Sequence, residues 1–456
     1  MLSRRAWQRL LFHDLQMKKE RKNCDMTGQE ERIDRQAIFL GIVCWITYFS
    51  LYLGRLNFSA SMSEMVHLGI WGKGQLGSVA AVFYLAYGLG QLPSGLLGDR
   101  LPPGKLVFLG LLGTALANSL FPAMGSVAGM QAVWFANGLL QALIWPPMVR
   151  LVTDMTRGKA SVNIILLLSF SSPAGMLCAY LASAFLLRIA SWEHCFWGAG
   201  IWLAGIALLW IASIRKLERG HGGKAEEQSI PNAAKEICGK KAEVVQEKAA
   251  LSVSGFSSTG LLWLTGAAFI HGILKDGLTT WIPTYLTEQF SIQPFLSVML
   301  TTFLPVVNLS GVYIAEIGNR RIFRNEAAAG AGFYLVSLAG LVGMMMPVGN
   351  LLYGTVALFA IVTSMMTAVN TLLISLLPLH FQKEGRVATI SGGLNAITYV
   401  GSAAASALFG YATEHAGWGG TQLIWCLCGA AGMIFCLAAV RRWGWHRKDI
   451  YEENQK

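Results

Sequence analysis

The stretch QAIFLGIVCWITYFSLYLGRLNF, from Gln36 to Phe58, carries a single charged residue, Arg55. A membrane helix needs about 20 consecutive apolar residues, and this run is long enough to be one. Arg55 is its anomaly. No acid stands within one helical turn of it, and a guanidinium at membrane depth costs about 2.5–3.5 kcal/mol even on the gentlest insertion scale. A counterpart lies in the second half of the chain: Lys275, inside the apolar run from Leu261 to Trp281. One lone cation per half, each set in an apolar run, predicts a binding site for an anion.

Eleven further apolar segments follow the first, at roughly 74–97, 104–124, 127–149, 160–187, 194–214, 258–283, 293–315, 326–346, 350–376, 386–410 and 420–440. The 456-residue chain is 54% hydrophobic and 13% charged, against about 25% charged in soluble domains. An all-α integral membrane protein of twelve transmembrane helices is therefore expected. Its net charge of +11 is no nucleic-acid signature, because the cations segregate by side. All but four of the 36 lysines and arginines fall before the first span, in alternate loops, in the central polar segment or in the tail; the exceptions are Arg55, Lys73, Arg188 and Lys275. The excess of cations on one side predicts cytoplasmic termini. The expected location is the cell (inner) membrane, crossed many times. The charged N-terminal segment has no apolar core before Gln36, so no cleavable signal peptide is expected.

A polar stretch from Arg215 to Leu251 separates six spans from six, which fits two pseudo-symmetric six-helix bundles with a substrate between them. The expected organisation is a cytoplasmic segment 1–35, a first bundle 36–214, a central loop 215–257, a second bundle 258–440 and a tail 441–456. A short repeat supports it: Gly95-Leu-Leu-Gly-Asp99-Arg100 after span 2 returns as Ala315-Glu-Ile-Gly-Asn319-Arg320 after span 8. Asp99, Arg100, Asn319 and Arg320 are candidate gating residues. The carboxylate can cap a neighbouring helix and the arginine can pair across an interface. With Asn for Asp, the second copy should latch more weakly. Pro146, Pro147, Pro173 and Pro305 can bend their helices.

The candidate binding residues fall in helical stripes. Tyr48, Tyr52 and Arg55 stand at i, i+4 and i+7 on span 1, and Tyr84, Tyr87 and Gln91 make a similar stripe on span 2. His271 and Lys275 are one turn apart on span 7, as are Asn395 and Tyr399 on span 11. Arg55 offers a planar fork for two oxygens of an anion, and Lys275 a compact rotatable charge. Competing readings exist: interface anchoring for the tyrosines, snorkelling for Arg55 and simple packing for His271. Asp276 adjoins Lys275, but successive helical residues diverge by about 100°, so direct pairing is not expected. It is a candidate to face Arg55 or to carry a proton. The eight cysteines are scattered and form no metal-spaced cluster. No metal, cofactor or nucleic-acid partner is expected. No span carries paired carboxylates or a nucleophile with a base, which argues against an enzyme. The central loop lacks a phosphate-cradling glycine loop, which argues against an ATP-driven pump.

The phrases YFSLYLGRLNFSASM, AYGLGQLPSGLLGDR, QALIWPPMVR, WIPTYL, YVGSAAASALFGY and GWGG occur in order along most of the chain. In these the sequence resembles the organophosphate:phosphate antiporter family of the major facilitator superfamily, the group of glycerol-3-phosphate and hexose-phosphate transporters. The resemblance implies the fold of that superfamily and a secondary transporter of an organic anion, exchanged for inorganic phosphate. It places Arg55 and Lys275 at the family's two phosphate-binding arginines, and Tyr48, Tyr52, Tyr87 and Tyr399 at its cavity tyrosines. Three departures stand out. Lys275 replaces an arginine, Gln91 stands where glycerol-3-phosphate members carry a lysine, and their span 5 histidine falls on or near Leu168. A less cationic cavity leaves room for a sugar acid or another mono-anion. A proton-coupled carboxylate carrier using Asp276 and a non-transporting sugar-phosphate sensor are the alternatives; a monomer is expected.

Overall fold

The computed structural model describes residues 36–156, 159–221, 260–381 and 386–453. Residues 1–35, 157–158, 222–259, 382–385 and 454–456, with all of the expected N-terminal segment and most of the central loop, lie outside these. Nine described segments are long and apolar enough to cross a membrane. The last of them, Thr389–Gly444, breaks at Gly417, whose φ of 67° only glycine adopts readily. Lys73–Arg100 and the run from Leu261 to Phe290 add two more of matching length, so the described helices make twelve spans.

In chain order these are α1 (Gln36–His67), α2 (Lys73–Arg100), α3 (Pro103–Leu120), α4 (Val127–Met155), α5 (Lys159–Ile189) and α6 (Trp192–His221). The second half comprises α7 (residues 261–290), α8 (Pro294–Phe323), α9 (Glu326–Met344), α10 (Leu352–Phe381), α11 (387–416) and α12 (418–453). Helix starts follow local chemistry. Pro103 opens α3, the Ser126 hydroxyl accepts from Gly129 N at the start of α4, and the Asn325 side chain accepts from Ala327 N and Ala328 N at the start of α9. The proline pair Pro146–Pro147 coincides with a break in α4 between Ala142 and Trp145.

The halves meet where α2 packs along α11, α5 against α8 and α1 against α7. Within the second half α7 and α11 approach backbone to backbone. A Cβ built on Gly272 would stand 1.8 Å from the Thr398 carbonyl oxygen, and one on Gly401 would stand 2.1 Å from that of Phe269. This is the close approach that small residues permit in lipid, where dispersion rather than water exclusion drives helix association.

The two ends of the bundle differ. At the distal end, away from residues 36 and 453, Lys73 Nζ lies 2.9 Å from Glu288 Oε2, and Trp418 Nε1 donates to the same oxygen at 2.7 Å. Gly74 N donates to Glu414 Oε2 at 2.9 Å. Backbones touch there too: a Cβ on Gly77 would meet Ser406 O at 2.5 Å, and one on Gly410 would meet Lys73 O at 2.6 Å. At the proximal end of the same α2–α11 pair, Gly95, Gly392 and Gly393 have nothing within 4 Å of a built Cβ. Among the described residues, the hydrogen bonds and backbone contacts that join the ends of the halves lie at the distal end.

Candidate functional site

Arg55 sits deep in α1, not near its end. The helix continues to His67, twelve residues or about 18 Å beyond it. The extra turns hold Asn57, Ser59, Ser61 and Ser63, all buried. Their polarity suggests a helix end in the sequence, but Asn57, Ser59 and Ser61 bind other elements instead, and Ser63 donates to the Ala60 carbonyl of its own helix. Asn57 Nδ2 donates to Asn118 Oδ1 at 2.8 Å, and Ser59 Oγ donates to the Thr280 carbonyl at 2.7 Å across the halves. Snorkelling to an interface is thereby replaced by burial at mid-bundle.

The backbone beside Arg55 is pinned. The Gly54 carbonyl accepts from Asn118 Nδ2 at 3.2 Å, Asn137 Nδ2 at 3.1 Å and Gln141 Nε2 at 3.2 Å. Phe58 N, four residues on, turns to the Asn57 side chain. The guanidinium then enters an aromatic box, its carbon 4.5 Å from the Tyr87 ring centre, 5.2 Å from Phe83, 5.7 Å from Tyr84 and 5.8 Å from Tyr399. Such faces attract a cation without neutralising it. Among the described residues no carboxylate lies within ion-pairing distance of Arg55.

Arg55 opens on a cavity of about 280 Å³ between the halves. Lys275, Asp276, Tyr52 and Tyr399 line the same space, so the structure brings the two expected cations together. Tyr52 is held by a hydrogen bond from Ser172 on α5, one turn beyond the buried Leu168. Tyr48 and Tyr87 flank Arg55 in a small adjoining recess with Gln141. His271 is buried behind the wall, its Nε2 3.2 Å from Asn370 Oδ1, and Asn370 faces the cavity in its place. Gln91 and Asn395 lie one turn proximal to Tyr87 and Tyr399 and are not among the residues lining the cavity.

One expectation is overturned. Lys275 and Asp276 do pair: Lys275 Nζ lies 3.6 Å from Asp276 Oδ1. The reason is local. Residues Ile273–Gly277 form a π-helical turn, in which successive side chains diverge less than in an α-helix, and such turns gather at functional sites. Ser402 Oγ on α11 donates to the other carboxylate oxygen at 3.0 Å. Asp276 therefore does not pair with Arg55, and the two cations are not both unneutralised.

Sequence stripes missed part of the lining. Thr363, Thr367, Asn370 and Thr371 of α10 stand at i, i+4, i+7 and i+8, a readable pattern, and face the cavity with Thr279, Thr280 and Asn308. Thr363 Oγ1 donates to Asn308 Oδ1 at 2.8 Å. Tyr84 meets Thr280 Oγ1 at 3.0 Å, a polar link between the halves inside the site.

The repeated loop motif behaves differently in its two copies. Asn319 Nδ2 donates to Glu326 Oε1 at 3.1 Å, and Glu326 is buried beneath His380 and the Trp443 indole N–H, which lies 2.9 Å from Oε2. Asn319 thus braces the second half internally. Arg320 pairs with Glu316 at 3.4 Å in solvent, and Arg100 is exposed, so among the described residues neither joins the halves. Asp99 stands one residue before the end of α2, and its side chain lies outside what the structure describes.

Two six-helix halves around a polar cavity, joined at the distal end, define a secondary transporter that works by alternating access. The chain belongs to the Major Facilitator Superfamily, whose family model matches residues 44–405. It is 25% identical to the glycerol-3-phosphate transporter of Bacillus subtilis (strain 168) over 403 residues, covering 85% of this chain and 88% of that one. It is 21% identical to a probable hexose phosphate transport protein of Chlamydia pneumoniae over 429 residues, covering 92% and 94%. Among solved structures, a bacterial homolog of the human lysosomal transporter Spinster, inward-facing and unoccupied, superposes with a TM-score of 0.67 at 14% identity, covering 91% of this chain and 98% of that one. That likeness concerns the fold.

Proposed function

We propose that the protein carries a small phosphorylated sugar or polyol across the cell membrane in exchange for inorganic phosphate, with both termini cytoplasmic. The observation that carries this reading is the exposure of Arg55, with no carboxylate partner among the described residues, to a polar cavity shared with Lys275. Its fork suits two oxygens of one phosphoryl group, and Lys275 can reach the same group from the other half. The hydroxyl and amide groups of Thr279, Asn308, Thr363 and Asn370 suit the hydroxyls of the substrate body. A bound anion draws the halves together and neutralises Arg55, so the loaded carrier rocks readily while the empty one, with an uncompensated buried cation, does so slowly. Exchange follows from that asymmetry. The names of the relatives support the substrate class, and the segregation of lysine and arginine supports the orientation.

The test is phosphate self-exchange in proteoliposomes loaded with inorganic phosphate. The wild-type carrier is expected to exchange labelled phosphate and to be inhibited by glycerol phosphate or a hexose phosphate. Arg55→Ala is expected to fall to the protein-free background. Robust exchange by Arg55→Ala refutes the role assigned to that residue.

A further inference from the structure

The charged groups lining the cavity are Arg55, Lys275 and Asp276, and they sum to one positive charge. Asp276 is held in place from two sides. Lys275 approaches Oδ1 at 3.6 Å, and the buried Ser402 hydroxyl donates to Oδ2 at 3.0 Å from the neighbouring helix. The π turn at Ile273–Gly277 turns the carboxylate toward the cavity beside Lys275, and the tight α7–α11 packing at Gly272 and Gly401 fixes both helices. Its side chain is 17% exposed and lines the cavity.

The geometry points to Asp276 as a built-in counter-anion that sets the charge class of the substrate: the carrier takes monoanions in preference to dianions. This rests on the anion-carrier reading above and narrows it. A monoanion brings the site to neutrality. A dianion leaves one negative charge beside a fixed carboxylate, and like charges a few ångströms apart repel. The preferred solutes are phosphate diesters, singly protonated phosphate monoesters and sugar acids, each with a hydroxyl-bearing body for the α8 and α10 wall.

A matched pair of probes tests it: glycerol phosphate, doubly ionised at pH 8 because its second pKa lies near 6, and glycerol methyl phosphate, a monoanion at any neutral pH. Competition of each against labelled phosphate gives a ratio of apparent affinities. The wild-type protein is expected to favour the methyl diester at least tenfold, and Asp276→Asn to lower that ratio at least tenfold. Ser402→Ala, which frees the carboxylate without removing it, is expected to lower it two- to fivefold. An unchanged ratio in a folded Asp276→Asn overturns the proposal; should that variant fail to fold, an unchanged ratio in Ser402→Ala does so. A wild-type preference for the dianion overturns it as well, while leaving the anion-carrier reading intact. Failure of wild-type protein to engage either probe or phosphate sinks both.

Discussion

Lys73, the first residue of α2, and Glu288, near the end of α7, belong to opposite halves of the chain and meet at 2.9 Å at the distal end. Trp418 contributes twice, donating its indole N–H to Glu288 and offering its ring to the Lys73 ammonium at 5.8 Å. The bond exists only while the distal end is shut. Glu288→Ala should therefore shift the carrier toward a distally open state. A partly exposed pair of this kind contributes about 0.2–1 kcal/mol, so the population ratio should change about 1.4- to fivefold. Spin-label distances across the distal ends of α2 and α11 read it out; an unchanged distribution would mean the pair contributes nothing to the latch.

Three side-chain amides converge on the Gly54 carbonyl, one residue before Arg55. Asn137→Ala removes one of them and the Oδ1 acceptor of Gln141 Nε2. Loss of a buried hydrogen bond of this kind costs about 1–3 kcal/mol. Part of that should appear as function, because Arg55 loses its fixed origin. Transport should fall about tenfold through the maximal rate, although Asn137 does not line the cavity. Parallel measurement of thermal unfolding separates positioning from collapse.

Gly272 and Gly392 make opposite demands. A Cβ on Gly272 runs into the Thr398 carbonyl, whereas one on Gly392 meets nothing within 4 Å. Gly272→Ala is expected to destabilise by about 1–3 kcal/mol, the usual range for overpacking, or more. Gly392→Ala should be neutral within about 0.5 kcal/mol. Melting temperatures in detergent compare them directly.

The aromatic box predicts a chemical hierarchy around Arg55. Tyr87→Phe keeps a ring 4.5 Å from the guanidinium and should retain transport within a fewfold, whereas Tyr87→Ala removes a desolvated cation–π contact of about 2 kcal/mol and should weaken phosphate binding more than tenfold. Arg55→Lys keeps the charge but loses the fork, so its binding should fall well below wild type without vanishing. Equilibrium phosphate binding decides both comparisons.

Much of this architecture is legible in the chain. Apolar runs of membrane length recur twelve times, and their order survives in the structure because each run has no other way to satisfy its backbone in lipid. Arg55 and Lys275 are visible as anomalies for the same reason. The α10 stripe of Thr363, Thr367, Asn370 and Thr371 was equally open to a periodicity count. Threonine in a span also bonds its own helix, as Thr367 does to the Thr363 carbonyl at 3.0 Å, which hides its meaning. Gln91, Asn395 and His271 are not among the residues lining the cavity, because a stripe gives a face of a helix without the level along it at which the cavity lies.

Hydropathy and the placement of charge therefore decided, from the amino acids alone, that this protein is a twelve-span bundle with a cation in the core of each half. Burial of a long apolar segment depends on composition and length, which are properties of the string. Whether a buried cation has a partner depends on angles and on contacts between helices. Only the fold could put Asp276 beside Lys275, through a π turn that no propensity announces, while setting Arg55 among rings from both halves. Only packing between α2 and α11 could shut the distal end of the cavity.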